Sequence, residues 1–395
     1  MMMKKNFVEE IIKVINKKFN RKKYFLHEPS FNTNDIKDVI KCIRSSFVST
    51  AGKYSNVFEK KLSQITNSKY VISTINGTSA LHSILNIIKV GKNDEVLVPS
   101  LTFVGTANAI KYCNANPNFV DVSYKTFGID PTKLEKYLNK TCIIKKNKCL
   151  NKKTKKNIKA LICVHVFGHA AEINEISRIC KKYKIILIED AAEAIGSYYK
   201  NKHLGTFGDF GMISFNGNKI ITTGSGGAIL TSNINHYKKL LKLVSVNKEK
   251  HQFEYRYESV GYNYKMPSLN ASLGISQLRN LKKIILDKRK IFNFYKKIFK
   301  EIKGVSILEE PKNSLSNYWL NTIVLDKKCK FYKNKIIKSL IKNKFYCRPL
   351  WQPLHSLPQF KKYQKDRLNV TNDLYKRCIN LPSSIHLLKK IKYSQ

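Results

Sequence analysis

The chain has 395 residues, 43% of them hydrophobic, and a formal charge of +46, which is enough apolar sequence for one large core and a smaller one. No apolar stretch reaches the roughly 20 residues of a membrane span, and the odd set of nine cysteines, without a C-x-x-C pair or a zinc-type Cys/His spacing, argues for free thiols and no metal; a cytoplasmic protein away from the membrane is expected. Only nine of the 73 basic residues are Arg, and the lysines run along the whole chain, so specific nucleic-acid recognition, which favours the forked guanidinium, is not expected.

The opening segment carries Glu9, Glu10 and Lys13 among its apolar residues and reads as an amphipathic helix rather than a secretory leader. Together with the arm that follows, it forms a first region, 1–35. From about residue 69, short β-branched runs alternate with helical periodicity. The runs are KYVIST (69–74), DEVLVP (94–99), NFVDV (118–122), IKALICV (158–164) and KIILIED (184–190), with helices predicted over 80–88 and 173–183. This alternation predicts an α/β fold, a mostly parallel central sheet wrapped by helices, over 36–270. The segment 141–161 reads as a lysine-rich surface hairpin with Cys142 and Cys149 able to face each other. FGMISF and GAILTS suggest an antiparallel or crossover part of the same sheet. A long helix, Ser268 to Phe299, leads into a smaller C-terminal domain (271–395 with the helix), where WLNTIVL and YCRPLW are strand candidates.

Three segments carry chemistry. INGTSALHSIL (75–85) places Gly77, Thr78 and Ser79 at a helix start, where free amides and hydroxyls suit a phosphate; a plain structural cap reads the same way. KIILIEDAAEAIGS (184–197) ends an apolar strand on Asp190, aimed at the crevice where α/β proteins bind ligands, or else capping a helix. GDFGMISFNGNKIITTGSGGAILTSN (208–233) holds Lys219 between two strands, with glycines at 224, 226 and 227 permitting close backbone approach and positive φ. Sheltered there, a lysine amine can form an imine; in isolation it is a surface lysine.

In this order NGTSALH, PSLTFVGTANA, IEDAAEAIGS, SFNGNKIITTGSGGA and GYNYKM resemble the DegT/DnrJ/EryC1/StrS sugar aminotransferases, from about residue 24 to the end. FLHEPSF, the NKKTKKNIKAL hairpin, YWLNTIVLD, RPLWQPLH and NLPSS are most similar to the subgroup of legionaminic acid and bacillosamine pathways. The resemblance implies the pyridoxal-phosphate-dependent fold type I, like that of aspartate aminotransferase. It implies a Schiff base on Lys219 and a pairing of Asp190 with the pyridine nitrogen. Ser214 and the amides around Thr78 and Ser79, next to Gly77, would hold the phosphate. Phe103 would stack on the ring, Glu193 would touch the ring hydroxyl, and Asn263 would reach the cofactor phosphate of the other subunit in a homodimer with shared sites. Ser225 departs from the Gly or Glu expected there, and the tail after Pro382 is short. A family variant with His at the lysine position is a dehydratase; Lys219 implies transamination. L-Glutamate would then be the amino donor and UDP-2-acetamido-2,6-dideoxy-4-keto-glucose the acceptor. GDP- or dTDP-linked 4-keto-6-deoxyhexoses, and a non-catalytic cofactor- or polyanion-binding role, are the alternatives. Arg348, Trp351 and His355 are candidates for ordering the site or for a structural corner.

Overall fold

The structure is a computed structural model that describes residues 3–19, 22–249 and 251–389. The helix α1 (Met3–Lys18) leads through the arm to α2 (Thr33–Arg44) and α3 (Tyr54–Thr66). Then come β1 (Tyr70–Thr74), α4 (Gly77–Ile87), β2 (Asp94–Pro99), α5 (Val104–Tyr112), β3 (Asn116–Val120) and α6 (Pro131–Thr141). The hairpin β4 (Cys142–Lys145) and β5 (Lys148–Asn151) precedes β6 (Asn157–Val164), α7 (Ile173–Tyr183) and β7 (Ile186–Asp190). Two short strands, β8 (Tyr198–Tyr199) and β9 (Lys202–His203), lead to β10 (Phe210–Ser214) and β11 (Gly227–Thr231).

The main sheet has the order β1-β11-β10-β7-β6-β2-β3, with the hairpin attached to β6. Strands β10, β7, β6, β2 and β3 run parallel, and β11 is antiparallel to both of its neighbours. The mostly parallel α/β sheet read from the sequence is therefore present, and FGMISF and GAILTS form its antiparallel part. Alternation along the strands makes two cores. Val96, Val98, Ala160, Ile162 and Ile188 face Leu81, Leu85 and Ile110 of α4 and α5. Leu97, Leu161, Cys163 and Leu187 face Leu134, Leu138, Ile176 and Cys180 of α6 and α7.

The predicted strand 118–122 instead starts at Asn116 and takes in Pro117, opposite Val96. Proline is tolerated because β3 is the last strand on its side of the sheet order, where one backbone edge is unpaired by the ladder. In the hairpin, Cys142 pairs with Asn151 and Ile144 with Cys149. The two thiols are thus diagonal neighbours, buried and free rather than directly opposed.

After α8 (Ile234–Val244) and the hairpin β12 (Lys248–Glu249) and β13 (Arg256–Tyr257), the helix α9 (Ser268–Phe299) has the predicted bounds. Beyond it lie β14 (Val305–Ile307), β15 (Ser314–Leu315), β16 (Asn321–Leu325), α10 (Lys333–Lys342), β17 (Arg348–Pro349), α11 (Asn369–Arg377) and β18 (Cys378–Leu381). Strands β14, β16, β18 and β17 form an antiparallel sheet in that order, so WLNTIVL and YCRPLW do contribute strands. Val8, Ile11, Ile15 and Phe19 of the N-terminal segment pack in a separate core with the C-terminal region, against Ile291 and Tyr295 of α9, Ile323 and Ile336. Among the described residues no helix is long and apolar enough to cross a membrane.

Because Ile11 is fully buried in this core, Ile11→Ala should cost about 2–5 kcal/mol. Urea unfolding of the variant beside the wild type measures this; a loss well under 1 kcal/mol would mean that α1 does not dock as described.

Candidate active site

The carboxyl ends of β6, β7 and β10 open into a cavity of about 370 Å³ lined by Gly77, Thr78, Phe103, Asp190, Glu193, Ser214 and Lys219, and closed by Trp319 and Trp351. Seven residues expected from sequence therefore meet in one place. Helix α4 begins at its floor: Asn76 adopts an extended conformation and its side chain caps the helix by accepting from the Ser79 amide at 2.8 Å. Ser79 is therefore engaged in the cap and stands behind the cavity wall, whereas Gly77 and Thr78 line it. Gly77 packs the helix start closely on β10: a Cβ there would lie 2.8 Å from the Met212 sulfur and 3.3 Å from Ser214 Cβ. That close packing brings the Ser214 hydroxyl beside the helix start.

Asp190 ends β7, buried, with one oxygen accepting from the Thr106 hydroxyl at 2.8 Å and the other from the Ala192 amide at 3.1 Å. Burial raises its pKa, against those two bonds and the nearby charge of Lys219. Glu193 is buried as well. Burial pushes its carboxyl up to about 7, although Lys219 and the Phe167 amide, which donates to it at 2.7 Å, work the other way. Lys219 Nζ lies 3.6 Å from Glu193 and 4.1 Å from the centroid of the Trp319 ring. Its loop is held by the turn bond from its amide to the Asn216 carbonyl and by Trp319 Nε1, which donates to the Asn218 carbonyl at 2.7 Å.

Of the three glycines beyond it, only Gly224 uses a positive φ, 82°. Gly227 is needed for proximity instead, since a Cβ there would sit 2.5 Å from the Asn76 carbonyl carbon. Ser225 is accommodated: its hydroxyl donates to the Ile75 carbonyl at 2.7 Å and ties the loop to the start of α4. Phe103 lies exposed at the mouth, against Gly105.

Other expected residues lie elsewhere. Asn263 is exposed and forms an isolated bridge with Ser245, outside this cavity's wall. His355 bonds Ser100 through Nδ1 at 2.7 Å and Arg348 is exposed in β17, and neither lines the cavity. Trp351 alone of the RPLWQPLH loop joins the site, stacked on Phe167 at 5.1 Å. Sequence reasoning gave no role to Thr106, Phe167 or Trp319, although Thr106 and Trp319 fall inside quoted motifs.

GDP-perosamine synthase of Escherichia coli O157:H7 is 34% identical over 91% of this chain and 92% of its own length. UDP-4-amino-4,6-dideoxy-N-acetyl-beta-L-altrosamine transaminase of Campylobacter jejuni is 29% identical over 89% of this chain and 90% of its own. Helicobacter pylori PseC, an aminotransferase involved in the biosynthesis of pseudoaminic acid, superposes with a TM-score of 0.82 at 25% identity, over 91% of this chain and 94% of its own. The fold and these likenesses define an aminotransferase of fold type I, with pyridoxal 5′-phosphate as its cofactor. The chain belongs to the DegT/DnrJ/EryC1/StrS aminotransferase family, whose model matches residues 29–391.

Because the Glu193 carboxyl titrates higher in the fold, at about 7, than in an unfolded chain, the folded state binds the extra proton between the two values. Its contribution to stability is therefore present below about pH 4.3 and lost as pH rises to about 7. In cofactor-free protein, urea unfolding across this window should show a steeper decline for the wild type than for Glu193→Gln; parallel profiles would refute the assignment.

Proposed function

We propose that the protein transfers an amino group from L-glutamate to C4 of a nucleotide-linked 4-keto-6-deoxy sugar. The observation that carries this reading is the single cavity that holds Lys219, Asp190 and the start of α4 together. Its residues fit the cofactor. The amides of Gly77 and Thr78 at a helix N-terminus, with the Ser214 hydroxyl, suit a phosphate dianion. Asp190 suits a protonated ring nitrogen, since a cation there offsets the desolvation that raises its pKa. Phe103 suits stacking over the ring, and Glu193 suits a group beside the ring hydroxyl. Asn263, on the surface, suits a contact across a homodimer with shared sites.

When bound, pyridoxal phosphate supplies an electron sink for negative charge at the carbon that bears the nitrogen. Lys219 would hold it through Nζ, and its amine would be free once the amino donor is seated. The freed amine then removes the proton from Cα of glutamate and, in the second half, delivers one to C4 of the sugar. Glu193 at 3.6 Å keeps that amine directed into the cavity, and the Trp319 and Trp351 rings keep water from it.

The subgroup resemblance favours UDP-2-acetamido-2,6-dideoxy-4-keto-glucose as acceptor. A GDP-linked 4-keto-6-deoxyhexose is the second reading, favoured by the 34% identity to a GDP-perosamine synthase against 29% to the UDP-altrosamine transaminase. A panel of UDP-, GDP- and dTDP-linked 4-keto-6-deoxy sugars with glutamate, scored by 2-oxoglutarate release, decides between them. Turnover with one nucleotide class is expected; no turnover with any would refute the reading.

Lys219→Ala should lower turnover at least about 100-fold, the scale of a lost proton-transfer group. Borohydride reduction of the wild-type holoenzyme should fix the cofactor mass on the peptide containing Lys219. A label on any other lysine would remove Lys219 from its role.

A further inference from the structure

Three costly features converge on Trp319. Tyr318 and Phe167 have φ of 49° and 57°, left-handed conformations that aromatic residues adopt only where the surroundings impose them. The Trp319 amide donates to the Phe167 carbonyl at 3.2 Å and to Asn317 Oδ1 at 2.9 Å, and the Tyr318 ring is stacked on Phe292 at 4.0 Å. From behind, Lys288, fully buried, donates to the Trp319 carbonyl at 2.7 Å and to the Ser383 carbonyl. Desolvating an amine for two carbonyls is expensive. What these features fix is the indole, buried, its ring over Lys219 Nζ and its polar atom Nε1 already spent on the Asn218 carbonyl.

Lys219 Nζ therefore has two unlike walls within reach, the Glu193 carboxyl at 3.6 Å and the indole face at 4.1 Å. A carbon that reacts at this amine brings its two ring neighbours against those walls. In a 4-keto hexose the neighbours of C4 are C3, which carries a hydroxyl, and C5, which carries C6. Glu193 offers a hydroxyl a strong acceptor, whereas the indole face offers it only its weakly accepting π cloud, and a buried hydroxyl left without a full partner is disfavoured.

We infer that Trp319 selects the 6-deoxy sugar: its face receives the C6 methyl and disfavours a C6 hydroxymethyl, while the C3 hydroxyl lies toward Glu193. The inference rests on the nucleotide-sugar reading above and assigns it a specificity residue.

The test runs the holoenzyme in reverse, with 2-oxoglutarate as amino acceptor. The two stable donors are a GDP- or UDP-linked 4-amino-4,6-dideoxyhexose and the same compound retaining its 6-hydroxyl. The wild type should prefer the 6-deoxy donor by about 10- to 100-fold in kcat/KM, the scale at which an apolar pocket rejects an added hydroxyl. Dissociation constants from calorimetry without 2-oxoglutarate should differ in the same direction. Trp319→His, which adds room and a hydrogen-bonding nitrogen, should bring both ratios toward one. Trp319→Phe and Trp319→Tyr form a second pair that differs by one hydroxyl, and the Tyr variant should have the lower ratio. A wild type that treats the two donors alike overturns the inference, as do equal ratios in the Phe and Tyr variants. Absence of wild-type turnover with either donor on either nucleotide would instead defeat the nucleotide-sugar reading, and this inference with it.

Discussion

The site depends on two consecutive carboxylates at the end of β7 that point to opposite sides of the sheet. Glu189, fully buried, accepts from the amides of Gly205, Phe207 and Gly208 at 2.5–2.8 Å and lies 2.9 Å from His165 Nε2. Burial raises its pKa, yet His165 and the Gly208 and Gly205 amides outweigh that and hold it below the ordinary carboxylate range. An ionised group with this many donors fixes the turn before β10, and with it the parallel pairing of β10 with β7. The pleat then leaves Asp190 one residue on, facing the cavity. Removing Glu189 from this arrangement would leave one buried and two part-buried amides to find other acceptors, so the acid on one face positions Asp190 on the other.

The lysine reaches Asp190 by a different route. Strand β10 ends at Ser214, and its partner β11 returns from Gly227 antiparallel to it, opposite Ser214. The loop between them carries Lys219 over the strand ends. The C-terminal region completes the enclosure from above. Asn317 donates to the carbonyls of Glu193 and Ile195, both at 2.9 Å, and its oxygen accepts from the Trp319 amide. Residues of the C-terminal region thus support the wall of a cavity whose floor belongs to the main sheet, and Trp319 shares one core with Ala191, Ile213 and Phe215.

Local pattern carried much of this arrangement. The alternation of Val96, Leu97 and Val98, repeated by Ala160, Leu161 and Ile162, announces strands buried on both faces. Lys219 and Asp190 sit in segments whose strand, turn and glycine chemistry is visible without a partner. The rest was hidden for physical reasons. The importance of Trp319 comes from Phe167, Asn218 and Lys288, distant in sequence, and no local propensity predicts positive φ at an aromatic. The fully buried Lys288 is indistinguishable in sequence from the many lysines around it. Helices α2 and α3 pack on α9 but left no reading at the sequence level. Asn263 is visible in a motif, yet its surroundings within one chain give it no ligand.

The charges in the cavity explain why such a site is stable enough to form and still reactive. Burying two carboxylates, Asp190 and Glu193, raises the pKa of both, which means that the folded protein gains from any cation delivered to either. Lys219 meets this need in part at Glu193 through a 3.6 Å approach, burial still holding that carboxyl up at about 7. Asp190 has hydrogen-bond donors but no equally close cation among the described residues, so the gain available there would go to a ligand that brings a protonated nitrogen. On the proposed role of Asp190, the electrostatic cost of burial would thereby be coupled to cofactor affinity. A group that restores charge balance at Asp190 stabilises the folded state by mass action, and the acid that makes this possible is held in place by Glu189, on the other face of the same strand.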